Sequence, residues 1–221
     1  MHSVFRVPVA AAALAAVTLC GQVPPKEVRA EGIPPRATPA DYQAHKQVGN
    51  LTIAAEFTGH FVTTPDKTLT TEDYVIVEVG LFGPPGTKLD LSPDQFALRI
   101  NQKKNPTPSQ PSVMVNSNLR DPDWTPPDQQ AGNKSKTMIN SGGGGNQDNG
   151  PPPPVHIPLE LQRAMAERAL KASLEEGQRT LPQAGLLYFR YGGKAKGIHT
   201  IELIYNGPAG KATLELQPVG Q

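Results

Sequence analysis

Cysteine is nearly absent from this sequence. Cys20 is the only one in 221 residues, so the chain cannot form an internal disulfide. It also lacks the paired cysteines that hold structural zinc or iron–sulfur clusters. A mature chain that begins after Cys20 has no thiol to act as a nucleophile. The folded protein must therefore be stabilised by burial of apolar surface rather than by covalent cross-links.

Neither sign of charge is in excess. Lysine and arginine together number 21, and aspartate and glutamate number 20. Proteins that bind nucleic acids through the phosphate backbone carry a clustered basic surface, so nucleic acid is not an expected partner. Aromatic residues are also sparse, at 5%. This scarcity disfavours a carbohydrate-binding module, because sugar rings stack on exposed aromatic side chains.

Proline and glycine are abundant and clustered, with 24 prolines and 21 glycines, whereas hydrophobic residues make up only 37% of the chain. A chain packed from end to end has a higher apolar content. The composition and length predict one domain with a core of modest size, together with irregular segments.

The N-terminus has the pattern of an export signal. Arg6 precedes an apolar run over residues 7–20 (VPVAAAALAAVTLC), which is followed by polar sequence. A short positive region before about 7–15 apolar residues is typical of secretory signal peptides. The run is also shorter than the roughly 20 residues that span a bilayer. We therefore predict a signal peptide at residues 1–21 and an exported protein, either periplasmic or extracellular.

Because of Cys20, the export signal could be processed in two ways, to a lipid-anchored protein or to a soluble one. Residues 17–20 (VTLC) resemble a bacterial lipobox, in which the cysteine is acylated and becomes the first residue. Leu19, however, stands where the motif takes Gly, Ala or Ser. The alternatives are a lipid anchor at Cys20, which would be the protein's only contact with a membrane, and soluble cleavage after Cys20 or Ala30.

Apolar residues predict strands in two separate blocks of the chain; most of them alternate with polar residues, whereas residues 74–82 (YVIVEVGLF) are apolar on both faces, which suits a central strand. Period two is the signature of a strand with one buried face. The last two runs flank a turn-rich loop at residues 206–210, which predicts a hairpin. The predicted strands are residues 51–61, 74–82 and 96–100 in the first block, and 186–191, 198–205 and 212–217 in the second.

Two further segments separate these blocks. Residues 101–157 are rich in Pro, Gly, Ser and Gln, and cannot bury enough apolar surface to offset the entropy of ordering. We predict that they form a disordered insertion. Residues 159–176 contain neither Pro nor Gly, so a helix is expected over 158–177, ended by Gly177. Its apolar face consists of Leu161, Met165, Ala169 and Ala172.

These elements predict a mainly β fold. Six to seven short strands favour a two-sheet β-sandwich in which both blocks share one interior. The sandwich forms a single domain over residues 50–218, interrupted by the insertion and the helix. Residues 22–49 are expected to be a flexible tether.

Three stretches of sequence resemble a known domain family. They are residues 74–79 (YVIVEV), 91–98 (LSPDQFAL) and 181–189 (LPQAGLLYF). They are similar to the immunoglobulin-like extracellular domains of unknown function found in bacterial envelope lipoproteins. The resemblance covers about half of the chain, and GPPG follows the strand at 74–82 where the family has another polar turn. It implies an immunoglobulin-like sandwich with a binding or structural role, and it supplies no catalytic residues.

No motif predicts a cofactor. In residues 83–88 (GPPGTK), Thr87 replaces the glycine that precedes the lysine of a phosphate-binding loop, so we expect a tight turn. Asp121, Asp123 and Asp128 could offer oxygen ligands to calcium, but they lack EF-hand spacing and are interpreted as a solvated acidic loop.

The sequence contains no recognisable catalytic or metal-binding group either. His45, His60, His156 and His199 are far apart in the sequence, and only His60 and His199, both placed on strands, could meet across a sheet. There is no nucleophile elbow of the Gly-x-Ser-x-Gly type. A hydrolase or metal-dependent enzyme with a site built from distant residues remains an alternative.

Trp124, with Arg120 nearby, is the main candidate contact residue. A lone aromatic in a polar segment either anchors a partner or fixes the insertion to its own domain, and we favour the second interpretation. Leu161 and Met165 on the helix, and the sheet edges, are further candidate contacts. The sequence thus predicts a non-catalytic, exported interaction or structural module of the bacterial cell envelope. Its expected partner is an envelope protein or polysaccharide, with a carbohydrate-binding module as an alternative.

Overall fold

The structure is a computed structural model that describes residues 32–126 and 156–219. Within these residues the fold is mainly β, with one helix, α1 (Leu159–Ala172). The strands are β1 (Ala44–Val48), β2 (Leu51–Gly59), β3 (Phe61–Thr63), β4 (Thr68–Thr71), β5 (Tyr74–Phe82), β6 (Lys88–Leu91), β7 (Phe96–Ile100), β8 (Thr107–Pro108), β9 (Leu119–Arg120), β10 (Gly177–Thr180), β11 (Gln183–Arg190), β12 (Ile201–Gly207) and β13 (Gly210–Leu216).

The described residues form more strands than the six to seven expected. The additional strands are mostly short: β8 and β9 have two residues each, β3 has three, and β4, β6 and β10 have four. A strand of two to four residues offers at most two inward positions, so its alternation cannot be told from chance in the sequence.

Two four-stranded antiparallel sheets form the body of the fold. The first sheet has the order β1-β2-β5-β11, and the second has the order β13-β12-β7-β8. In the first sheet, β11 comes from the C-terminal block and pairs with β5 along its whole length, from Gln183 opposite Leu81 to Arg190 opposite Tyr74. In the second sheet, β12 pairs with both β13 and β7. Each sheet therefore contains strands from both blocks of alternating residues.

One hydrophobic cluster, the first core, fills the space between these two sheets. It contains the inward residues of β2 and β5 on one side and those of β7, β12 and β13 on the other. The two sequence blocks therefore share one interior, as the alternation predicts. Its fully buried members include Ile53, Val77, Leu81, Leu98, Phe189, Leu203 and Tyr205.

A second core covers the outer face of the first sheet. Tyr74 and Ile76 of β5 and Tyr188 of β11 project to this face, opposite to the side chains of the first core. The apolar face of α1 packs on them, with Met165 only 2% exposed and Ala169 fully buried. The helix therefore uses its apolar stripe to cover its own sheet.

Residues 32–49 differ from the expected flexible tether. Ile33 packs against the second core, and β1 pairs with β2 from Ala44 opposite Ala55 to Val48 opposite Leu51. The anchoring side chains are single residues separated by prolines, so the sequence shows no periodicity that would indicate order. The remainder of the predicted tether, residues 22–31, lies outside the described residues.

Residues 101–126 differ from the expected disordered insertion. They contain β8, β9 and two short 3-10 turns, and Val115 and Leu119 are buried in the second core. A few apolar residues at irregular spacing suffice to hold this segment, because the outer face of the sheet supplies most of the apolar surface. Of the rest of the predicted insertion, residues 127–155 are outside the described residues.

Helix α1 ends at Ala172, five residues before the expected stop at Gly177. Ser173 has extended backbone angles, and the next N–H, that of Leu174, donates to the carbonyl of Leu186 on β11 at 3.1 Å. Gly185 permits this pairing, because a Cβ there would lie 2.4 Å from the Cα of Leu174. Within the described residues, no helix is both long and apolar enough to span a bilayer.

Candidate functional site

A groove of about 500 Å³ lies between the C-terminal end of α1 and the segment over residues 109–113. We call it the helix-end groove. Apolar and charged side chains both line it: Pro93, Ser109, Gln110, Pro111, Ser112, Val113, Leu170, Lys171, Ser173, Leu174, Glu175, Glu176, Arg179, Leu186 and Tyr188.

The walls of the helix-end groove are fixed by two backbone attachments to β11. The N–H of Gln110 donates to the carbonyl of Tyr188 at 2.7 Å, and the N–H of Leu174 donates to that of Leu186 at 3.1 Å. The two attachment points are only two residues apart on the strand. The groove is thus held open by the sheet itself, which is a rigid element, and not by loop contacts alone.

Two exposed apolar side chains, Val113 and Leu170, line the helix-end groove, and a third belongs to the residue that follows Val113. Val113 is 67% exposed, Leu170 is 63% exposed, and the neighbouring Met114 is 57% exposed. They make up half of the six large hydrophobic residues that are exposed in the described part of the chain. Exposed apolar side chains that border a groove are a common feature of interaction sites.

The polar groups of the helix-end groove are divided between its rim and its floor. On the rim, Arg179 Nε lies 3.1 Å from the carboxylate of Glu175, while Lys171 and Glu176 add one charge of each sign. On the floor, the Tyr188 hydroxyl donates to the carbonyl of Ala169 at 2.8 Å. Burial raises the pKa of Tyr188 further above its ordinary value of about 10.

A second, smaller groove gathers the contact residues that the sequence singled out. Trp124 and Arg120 lie on one side of it, and Leu161 and Met165 of α1 lie on the other, around a volume of about 220 Å³. Trp124 is half-buried. Its position beside the helix fits the interpretation that it fixes the 101–126 segment to its own domain, whereas its role as a partner contact stays a prediction.

Two of the aspartates considered as calcium ligands, Asp121 and Asp123, form ion pairs with Lys67. Lys67 Nζ lies 2.6 Å from the carboxylate of Asp121 and 3.4 Å from that of Asp123. The hydrogen bond to Asp121 raises the pKa of Lys67. Asp128 lies outside the described residues. In the described ranges, no three His, Cys, Asp or Glu side chains come close enough together to hold a metal ion.

The histidines have separate partners. His60 Nδ1 lies 2.7 Å from the carbonyl of Tyr74, whereas the backbone N–H of His199 donates to Asn101 Oδ1 at 2.8 Å. His45 and His156 are exposed. Cys20 and the predicted signal peptide fall outside the described residues. Residues 83–87 form the expected connection between β5 and β6, and Lys88 is the first residue of β6.

The structure also shows an ion cluster that sequence reasoning missed. Glu56 on β2 and Glu78 on β5 are paired in register, and Arg36 binds both carboxylates. Burial alone would lower the pKa of Arg36, but its bonds to Glu78 and Glu56 outweigh this effect and raise it. The guanidinium also lies 4.4 Å from the ring centroid of Tyr42.

One signal in the sequence could have revealed this cluster. Glu78 is the single charged residue in the otherwise apolar run YVIVEVGLF, and it is only 8% exposed. A buried carboxylate requires a counter-charge. The cluster attaches residues 36–42 to the sheet, because Arg36 forms ion pairs with both Glu56 and Glu78.

Comparisons with known proteins add little to this description. No protein-family model and no curated protein sequence matches the chain. Among solved structures it is similar to a protein described as a "putative lipoprotein (ycdA)" from Bacillus subtilis, with 9% sequence identity and a TM-score of 0.36. The match covers 79% of this chain but 38% of that one, so this chain spans well under half of its length.

Proposed function

We propose that this protein is a non-catalytic, exported binding module of the bacterial cell envelope, with an immunoglobulin-like arrangement of its two main sheets. The signal pattern at residues 1–21 supports export, and the resemblance of the strand sequences supports the envelope. We further propose that the helix-end groove is the surface that binds a partner protein.

The exposed apolar side chains at this groove carry the proposal. Val113 and Leu170 face water although a buried position would be more favourable for each, by about 1.5–3 kcal/mol. Single exposed apolar residues are ordinary, but here they border a groove attached to a rigid strand. A partner that covers Val113 and Leu170 would recover this free energy on binding.

The chemistry of the groove favours protein over polysaccharide. Its single aromatic lining residue is Tyr188, which is 1% exposed and presents no ring face on which a sugar could stack. Apolar residues surrounded by charges of both signs, such as Lys171 and Glu175, are typical of a protein interface with a polar rim.

Site-specific photo-crosslinking in intact cells tests this function. A photoreactive residue is placed at Leu170, and a matched control is placed at Leu159, which is on the same helix and similarly exposed, at 58%. We expect a discrete, protease-sensitive adduct from position 170 and none from position 159. The adduct should disappear when Val113→Asp is added, because a charge on the groove wall opposes apolar contact.

Two results would contradict the proposal. Equal labelling from positions 170 and 159 would mean that the groove has no special partner. An adduct that survives protease but is destroyed by glycan-degrading enzymes would identify the carbohydrate-binding alternative instead. Thermal unfolding of the Val113→Asp variant checks that the fold is retained, as expected for a residue that is 67% exposed.

A further inference from the structure

We infer that a cluster of lysines at one end of the second sheet binds the anionic surface of a membrane. This cluster, which we call the lysine patch, consists of Lys103, Lys104, Lys194 and Lys196. None of the four lines the helix-end groove, so the inference goes beyond the proposed function and does not depend on it. It also gives the protein a contact with a membrane that needs no lipid anchor at Cys20.

The lysine patch is formed by two connections between strands. Residues 101–106 join β7 to β8, and residues 191–200 join β11 to β12. Together they contain four lysines and no aspartate or glutamate, although the whole chain carries 21 basic and 20 acidic residues. The positive charge of these connections is therefore a local feature and does not reflect the overall composition.

The side chain of Asn101 ties the two connections together. Asn101 and Gln102 have positive φ angles of 53° and 56°, so the chain turns sharply where β7 ends. Asn101 Nδ2 donates to the carbonyl of Gly197 at 2.7 Å, and its Oδ1 accepts from the N–H of His199 at 2.8 Å. Each lysine of the patch lies within three positions of Asn101 or Gly197, so the fold brings both pairs to the same end of the sheet.

The fold does not neutralise the lysine patch. All four lysines are exposed, and none has an ion-pair partner among the residues that the structure describes. The acidic residues at this end are on strands or on the turn before β5: Glu72, Asp73, Glu202 and Glu215. Of these, Glu202 is bound by Arg99 at 2.6 Å. The two connections themselves therefore present only positive charge.

The chemistry of the lysine patch favours a charged surface over a single bound anion. The neighbouring cavity of about 340 Å³ is lined by Gln102, His199 and Thr200, but by none of the four lysines. Lysine carries a compact, hydrated point charge, whereas arginine is favoured where one phosphate or carboxylate is bound by two parallel hydrogen bonds. Clusters of about four to eight basic residues attract layers of anionic lipid headgroups in this diffuse way.

Co-flotation with lipid vesicles tests the inference. The exported chain is used in a Cys20→Ser background, so that an acyl group cannot account for binding. Vesicles of phosphatidylcholine that contain phosphatidylglycerol are compared with vesicles of phosphatidylcholine alone. We expect binding to the anionic vesicles only, and its loss when the salt is raised to about 0.5 M, because salt screens the attraction.

Two double variants locate the contact within the lysine patch. One combines Lys103→Gln with Lys104→Gln, and the other combines Lys194→Gln with Lys196→Gln. Each lysine beside an anionic surface strengthens binding about fivefold, so either double variant should weaken vesicle binding roughly 25-fold. Because all four side chains are exposed, the melting temperatures should match that of the parent protein.

A matched control removes the same amount of charge elsewhere. It combines Lys46→Gln with Lys211→Gln, and both of these lysines are exposed. Lys211 lies opposite Asn206, at the other end of β12 from the patch. We expect the control to bind the anionic vesicles as the parent protein does. Equal weakening by the control and the patch variants would overturn the inference, because net charge would then explain the binding.

Two further results would also overturn the inference. One is equal binding to neutral and anionic vesicles. The other is complete displacement from the vesicles by a soluble polyuronate at the same concentration of charge, which would assign the lysine patch to an acidic polysaccharide. None of these variants changes the helix-end groove, so the photo-adduct at position 170 tests the proposed function separately.

Discussion

Arg36 and Glu78 are 42 positions apart in the sequence, yet the guanidinium donates two hydrogen bonds to the carboxylate, at 3.1 and 2.9 Å. Glu56 is the cross-strand neighbour of Glu78 and is bound by the same arginine. One cation therefore holds two adjacent carboxylates on the outer face of the first sheet and attaches residues 36–42 to it.

Arg36→Leu is expected to destabilise the protein by roughly 2–4 kcal/mol, because it leaves Glu78 buried without a counter-charge beside a second carboxylate. Arg36 is about a third exposed, at 31% of its side chain, which favours the lower end of this range. Chemical denaturation measures the loss. The triple variant with Glu56→Gln and Glu78→Gln should recover at least half of it, and a similar loss in both variants would show that packing of Arg36, not charge, is responsible.

The order of the 101–126 segment can be tested with two valines that lie two residues apart. Val115 is fully buried in the second core, whereas Val113 is 67% exposed. Val115→Ala should cost about 1–3 kcal/mol through lost burial and a residual cavity. Val113→Ala should change the free energy of unfolding by no more than about 0.5 kcal/mol. Equal, negligible effects would mean that this segment contributes nothing to the folded core.

The two valines also show what the sequence could and could not predict. The long strands were predictable. β2 and β12 alternate along most of their length, whereas β5 and β11 are almost continuously apolar, as expected of strands that are covered on both faces. Val115 was not, because its burial depends on a sheet face supplied by residues far away in the chain. The helix-end groove has the same origin: Gln110 and Leu174 lie in segments without periodicity and are placed by bonds to β11.

The contact residues were predicted in part. Trp124, Arg120, Leu161 and Met165 were chosen separately from the sequence, and the structure brings them together around one small groove. The apolar face of α1 was identified correctly, but the sequence could not show that this face is used against its own sheet. The sequence did not point to Val113 and Leu170, the exposed apolar residues of the helix-end groove. A single Val or Leu among polar residues forms no periodic pattern that would distinguish an exposed position from a buried one.

Gly185 is expected to be essential for the end of α1. An alanine Cβ there would lie 2.4 Å from the Cα of Leu174 and 2.5 Å from its backbone nitrogen, and backbone atoms cannot move aside as a flexible side chain can. Gly185→Ala should cost about 3 kcal/mol or more by displacing residues 173–174 from β11. The control is Gly192→Ala, where the nearest atom would be 3.9 Å away and little change is expected. Comparable melting temperatures for both variants would refute the close approach.

Tyr188 should make the stability of the protein depend on alkaline pH. Burial raises the pKa of Tyr188 above its ordinary value of 10, so the folded protein keeps a proton that the unfolded chain releases. This contribution is complete below pH 10 and is lost as the pH rises above the unfolded value. Tyr188→Phe removes the dependence, but it also removes the hydrogen bond to the carbonyl of Ala169.

The lost hydrogen bond lowers the stability of the Tyr188→Phe variant, whereas the lost ionisation raises it at alkaline pH. The free energies of unfolding of the wild type and the variant, plotted against pH, should therefore converge. At pH 7 the variant should be less stable by about 0.5–1.5 kcal/mol, the usual net value of one hydrogen bond. The carbonyl of Ala169 still accepts from Ser173, which keeps this loss small. Near pH 11, ionisation of Tyr188 stabilises the unfolded wild type by about 1.4 kcal/mol. This lowers the free energy of unfolding of the wild type, so the difference in stability between the wild type and the variant should vanish. Denaturation at both pH values checks this, and a constant difference from pH 7 to 11 would mean that Tyr188 ionises as readily in the folded protein as in the unfolded chain.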